Sequence, residues 1–353
     1  MPVIGRLVAL VVLGLVMAGC AGGSAGTPGS GDLVAIGAGL AGPAGLSATV
    51  YAHGPAHVSA FALDRQGRLW LAGAAATDAG ADGVYLVPSA GDTPVEVIAD
   101  LHTPLGLLWV DGELFVAAKD QVVAYGGFHG TAFATHRTVV TFPRGTGELN
   151  GLVQGPDGRL RLGISAPCDH CQATSAYSAS VVSFRPDGSG LTVEVHRIRA
   201  AVGLAYYPGT SHLFATLNQR DDLGAKTPGD LLVSLERGQD WRFPECYGQG
   251  GSACTGVPDA VATLDPHGGV DGVAVVTGQL GDSVGTAAIV AEYAVGKVQI
   301  VPLATAPSGT GYAGTAAAFL TGLKNPVPVV VGSGGRLFVG DWTTGLVYEI
   351  RTS

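Results

Sequence analysis

The residues best suited to chemistry fall into a few short clusters. Asn218, Asp221 and Asp222 stand close together and offer the oxygen ligands that a calcium ion collects in sets of about six to eight; an acidic surface turn has the same composition. Arg220, between them, is a candidate contact for a substrate or cofactor, or an ion-pair partner for its acidic neighbours. Glu148 and His267 are candidate acid-base groups, since proton transfer needs a side chain of suitable pKa within hydrogen-bond reach. His267 precedes two glycines and equally fits the cap of a strand. Cys168-Asp169-His170-Cys171 carries zinc-ligand types at a suggestive spacing.

The first residues decide where such chemistry would take place. Arg6 precedes an apolar run from Leu7 to Met17, too short to span a bilayer of about 30 Å and suited to the core of a secretion signal. Met17-Ala18-Gly19-Cys20 resembles a lipobox, which implies a signal peptide over residues 1–19, cleavage before Cys20 and diacylglyceryl attachment to its thiol. Ordinary secretion is the alternative. Residues 21–32 are rich in Gly, Ser and Pro, as in a flexible tether, so residues 20–42 are assigned to a tether and residues 43–353 to the folded domain. The protein is expected on the outer face of the cell membrane, held by lipid. Export permits disulfides. Cys168 with Cys171 and Cys246 with Cys254 is the favoured pairing of the other cysteines, and a zinc site is the rival.

The net charge is −9, and no basic block interrupts the chain. This excludes electrostatic binding to nucleic acid or anionic lipid, leaving Cys20 as the expected membrane attachment of a monomer. With 56 glycines among many Val, Ala and Leu residues, the composition favours short buried strands joined by tight turns. Gly37, Gly39 and Gly42 spell a dinucleotide-type glycine pattern, but no βαβ unit surrounds it.

One phrase recurs: a turn with Asp or Gly, then Gly-x-Leu and further apolar residues. It runs through Asp64-Arg65-Gln66-Gly67-Arg68-Leu69-Trp70-Leu71, Asp111-Gly112-Glu113-Leu114-Phe115-Val116 and Asp157-Gly158-Arg159-Leu160-Arg161-Leu162. Weaker copies begin at Pro208 and Gly285, and the last is Gly334-Gly335-Arg336-Leu337-Phe338-Val339. The glycine suits a positive-φ turn and the apolar stretch a buried strand. A period of about 45 residues rich in short strands is the pattern of a β-propeller. Six copies predict an all-β, six-bladed β-propeller; a β-sandwich with accidental self-similarity is the alternative. A strand between about residues 45 and 63 is predicted to complete the last blade beside Thr344-Gly345-Leu346-Val347-Tyr348-Glu349-Ile350, because closure removes exposed sheet edges.

From about residue 100 to 350 the chain resembles the pyrroloquinoline-quinone-dependent glucose/sorbosone (aldose) dehydrogenases, six-bladed propellers, as a divergent member. Asn150-Gly151-Leu152-Val153-Gln154-Gly155-Pro156-Asp157-Gly158 carries one part of the likeness. Asn218-Gln219-Arg220-Asp221-Asp222-Leu223-Gly224 carries the most specific part, and Phe243-Pro244-Glu245-Cys246-Tyr247-Gly248 and Asp265-Pro266-His267-Gly268-Gly269-Val270-Asp271-Gly272 continue it. The resemblance implies a quinone over the propeller axis with calcium beside it, a histidine base and hydride transfer from a sugar. It makes Arg199, Gln219 and Arg220 candidate cofactor contacts and Asn218, Asp221 and Asp222 candidate calcium ligands. The histidine it implies falls at about Gly147, and an asparagine falls at Ala200. An acidic pair falls at Ala225-Lys226, and a cofactor-binding arginine falls near Ala291. The sequence therefore predicts a sugar-dehydrogenase scaffold whose catalytic residues are lost. A non-catalytic propeller binding a sugar, envelope component or protein is the first alternative, and a metal-dependent, lactonase-like hydrolase the second.

Overall fold

The computed structural model describes residues 32–77, 82–173, 175–248 and 250–353. The signal peptide, Cys20 and the first part of the tether lie outside the described residues. Each recurring phrase forms the same element, the turn between the first and second strands of a sheet. Asp64 shows how. Its carboxylate accepts hydrogen bonds from the backbone N–H groups of Gln66 and Arg68 and from the Trp70 indole. Gly67 takes φ +75°, a conformation that costs glycine little. The strand that follows begins with Leu69 and Trp70, both fully buried. Phe115, Phe214 and Phe338 occupy the place of Trp70 in their own copies and are fully buried too.

Six four-stranded antiparallel sheets result, the six blades of a β-propeller. Their innermost strands are, from blade 1 to blade 6, Val58–Leu63, Gly106–Val110, Leu149–Gln154, Ala201–Tyr206, Val270–Thr277 and Pro326–Gly332. Apolar side chains fill the space between neighbouring sheets; Trp70 of blade 1, for example, meets Trp109 and Phe128 of blade 2. The ring closes as the sequence predicts. Blade 6 takes its outermost strand, Leu46–His53, from the start of the domain, paired antiparallel with the C-terminal strand Leu346–Thr352. The described helices are two short 3-10 turns, Gly224–Lys226 and Ser252–Cys254, and none is long and apolar enough to cross a membrane.

The assignment of a tether up to residue 42 is corrected. Val34–Gly37 and Leu40–Gly42 form an antiparallel hairpin. Ile36 and Leu40 join the apolar cluster shared with blades 5 and 6, and Ala41 bonds reciprocally with the backbone of Thr321. Two buried aliphatic side chains inside the polar stretch are enough to fix it to the ring.

One irregularity recurs and shapes the axis. Five of the six innermost strands break register with their neighbour near their first residues, at Val58/Ala60, Leu149/Leu152, Ala201/Leu204, Val270/Val273 and Pro326/Val329. Such bulges bend a strand and re-aim its side chains. At Gly203, any Cβ would collide with the carbonyl oxygen of Asp271 in the next blade. Neighbouring inner strands thus approach backbone to backbone around one end of the axis.

Candidate functional site

The inner strands, along their length, and the loops that lead into their bulged ends surround a cavity of about 1260 Å³ on the propeller axis, large enough for a small-molecule ligand. Asp120, Glu148, Arg199, Asp221, Asp271 and Trp342 line it, each from a loop or strand end on the same face of the ring. The recurring turns lie at the opposite ends of the inner strands.

The Cys168–Cys171 disulfide closes a loop beside the cavity, and Asp169 within it organises this part of the mouth. The Asp169 carboxylate accepts a 2.5 Å bond from Arg199 Nη2 and further bonds from the backbone N–H groups of Asp221 and Asp222. Arg199 Nε donates to the Asp169 carbonyl, and Nη1 donates to the Asn218 carbonyl. Each of the three guanidinium nitrogens of Arg199 is therefore bonded to the surrounding loops. Cys246 and Cys254 form the second disulfide, so all four cysteines among the described residues are paired and the zinc reading of Cys168–Cys171 is overturned.

The candidate metal and cofactor residues separate. Asn218 Nδ2 donates to the Val270 carbonyl. Asp222 makes two 2.6 Å bonds to Arg220, which holds its carboxyl down at about 2. Asp221 instead meets His267 Nδ1 at 2.8 Å. Among the described residues no three His, Cys, Asp or Glu side chains converge as a metal site, and the three candidate calcium ligands Asn218, Asp221 and Asp222 are engaged with three different partners. Arg220 stacks on the Tyr247 ring at 4.6 Å, and Gln219 Oε1 accepts from the Gly248 N–H. Both stand behind the cavity wall, around a small recess next to Trp241 and Phe243, so their assignment as cofactor contacts is corrected.

The candidate bases also diverge. His267 is held at both ring nitrogens, by the Gly224 carbonyl at Nε2 and by Asp221 at Nδ1. These two acceptors favour the protonated ring and raise its pKa, the Gly224 carbonyl most strongly. With both ring nitrogens engaged, the ring has no free nitrogen to take a substrate proton. Glu148 does line the cavity. Gly147, where the resemblance implies a histidine, lines it too, but a Cβ there would collide with the Ser165 carbonyl oxygen. Ala291, near the implied arginine, is fully buried within its blade. Asn150 lines the cavity and donates to the Ser165 hydroxyl.

Sequence reasoning missed Asp271. It stands in the bulge of blade 5, half-buried and open to the cavity. Burial, and then repulsion from Glu148 and Asp230, push its carboxyl up to about 7. Its signal was a charged residue before the bulge glycine, where blade 4 has Val202-Gly203. Tyr293 and Trp342 were missed as well. They meet edge to face at 5.7 Å, and Trp342 is fixed by a bond from its indole to the Ala74 carbonyl and by the His57 ring at 4.0 Å.

No family model and no curated protein matches the sequence. Solved structures match the fold over nearly the whole chain. A Trichoderma reesei carbohydrate-active enzyme of family AA12, in its iodide structure, is 17% identical with a TM-score of 0.74, over 92% of this chain and 100% of that one. The holo pyranose dehydrogenase PQQ domain from Coprinopsis cinerea is 15% identical, TM-score 0.70, over 88% and 97%. The PQQ-bound aldose sugar dehydrogenase from Streptomyces coelicolor is 19% identical, TM-score 0.67, over 88% and 99%. The chain shares the propeller fold of these structures.

Proposed function

We propose that this chain is an exported, lipid-anchored propeller that receives a sugar in its axial funnel, on a sugar-dehydrogenase scaffold that no longer runs the quinone reaction. The engagement of Arg199 by Asp169 carries this reading. Pyrroloquinoline quinone presents carboxylates and carbonyls that need cations and donors. Here the retained arginine is held in the wall, Gly147 has no room for a side chain, and Asp120, Glu148, Asp221 and Asp271 line the same space. These groups do not fit an anionic cofactor. Nor do Asn218, Asp221 and Asp222, turned apart, fit a calcium ion.

Titration of the purified protein with pyrroloquinoline quinone and calcium, followed by an assay of aldose-dependent dye reduction, tests this reading. Neither saturable binding nor turnover is expected, while glucose should still perturb the Trp342 environment in a fluorescence titration. Turnover would overturn it in favour of a second reading, an active dehydrogenase with Asp271 as base, which the raised pKa of that carboxyl supports.

The site of action rests on Met17-Ala18-Gly19-Cys20. The anchor is proposed to be a diacylglyceryl group on Cys20, on the outer face of the membrane. Cys20→Ala should then release the chain from the membrane fraction and abolish labelling by a fatty-acid analogue; retention of both would exclude the anchor.

A further inference from the structure

The cavity does not end at the mouth. It follows the inner strands along the axis, past their bulges and towards the recurring turns. One level of this bore takes a residue from every blade: Ala62, Leu108, Val153, Ala205, Val275 and Val330. The repeat explains the level. Ala62 pairs with Trp70, Leu108 with Phe115, Ala205 with Phe214 and Val330 with Phe338, so each stands at the same register of its blade. All six are apolar. Leu108, Val153, Ala205 and Val330 stay half-buried on the innermost strands of their sheets and line the bore. Among the described residues, the charged groups on the cavity are Lys119, Asp120, Glu148, Arg199, Asp221 and Asp271. Every one stands in a mouth loop or in a bulge. One continuous space of about 1260 Å³, above the roughly 300–1,000 Å³ of ordinary small-molecule pockets, is therefore polar at one end and apolar along the rest.

Neither half suits a simple guest. A bare sugar pushed into the bore would set its hydroxyls against six apolar side chains, where they find no hydrogen-bond partner. A bare hydrocarbon would leave the polar groups of the mouth without a ligand. A molecule with hydroxyls at one end and methylenes at the other satisfies both. We infer that the funnel takes a sugar that carries a hydrocarbon chain, as in an alkyl glycoside or a glycolipid. The sugar sits among the polar groups of the mouth, and the chain runs along the axis between the six blades. This rests on the reading of the funnel as a sugar site and adds the second half of the ligand.

A chain-length series tests it. Methyl, butyl, hexyl and octyl glucosides are titrated calorimetrically into the purified full chain, each below the concentration at which it forms micelles. Affinity should rise by up to about fourfold per methylene, making the octyl glucoside at least about a hundredfold tighter than the methyl. Val153→Thr with Val330→Thr keeps the shape of the bore and places hydroxyls in it. It should cut the advantage of the octyl glucoside about tenfold and leave methyl glucoside within about twofold; a single variant, Val330→Thr, should do so in part if the double variant fails to fold. Equal binding of methyl and octyl glucosides would overturn the inference and leave the sugar site standing. An octyl advantage untouched by both variants would place the chain outside the bore and overturn it too. Hexanol binding as tightly as hexyl glucoside would overturn the inference by making the head irrelevant. Failure of every glucoside to bind would remove both the inference and the reading beneath it.

Discussion

The blade cores and the axial mouth are built from the same strands, yet they obey different rules. In the cores, the turns can satisfy the polar groups they bring inward, as the blade 1 turn does. Asp64 serves two backbone N–H groups, Arg68 and the Trp70 indole. At the mouth, Asp271, Glu148 and Asp120 line the cavity without partners, and the inner strands are bulged. The difference teaches that the ring's stability resides between the blades, while the mouth leaves its carboxylates facing open space.

The sharpest way to break this comparison is to remove a core ring. Trp70 is fully buried and touches Trp109, Phe128 and Phe133. Trp70→Ala should cost about 3–5 kcal/mol of stability, read as a lower denaturant midpoint; a loss below about 1 kcal/mol would place the stabilising contacts elsewhere.

A smaller effect is expected where mouth and core meet. Asp169→Ala removes the acceptor of Arg199 Nη2 and of the Asp221 and Asp222 N–H groups. It should cost about 1–3 kcal/mol and speed hydrogen exchange at Asp221 and Asp222 while the inner-strand amides stay protected. Uniformly faster exchange would mean that the Asp169 clamp supports the whole ring.

Within the mouth itself the sign should reverse. The Asp271 carboxyl titrates at about 7 in the folded protein and at about 3.9 when unfolded. Between these values the folded state holds the extra proton, so this group's contribution to stability falls as pH rises from about 4 to 7. Asp271→Asn, which stays neutral, should raise the melting temperature by about 2 °C at about pH 8 and by less at about pH 5. A lower melting temperature at the higher pH would show that the Asp271 carboxylate supports the fold.

The repeat was legible because a turn glycine and the buried pair after it are local requirements. Leu69-Trp70, Leu114-Phe115 and Leu337-Phe338 announce their strands within a few residues. The closing strand of blade 6 was legible from the need to hide an edge. The ordered hairpin at Ile36 and Leu40 was not, because two apolar residues among glycines resemble a linker until the surface they cover is known. Composition placed Asn218, Gln219, Arg220, Asp221 and Asp222 together as one site. The loop turns Gln219, Arg220 and Asp222 away from the cavity and leaves Asn218 and Asp221 on it.

The sequence by itself determined the number of blades and the turns between their strands, since these depend on residue type and spacing alone. Only the tertiary structure decided which groups share the axis. Trp342 is tied to Ala74, 268 residues away, and Glu148 meets the field of Asp271 from another blade. Closing the ring brings one loop end from each blade to a common mouth, and no pattern along the chain records which way each side chain turns once it arrives.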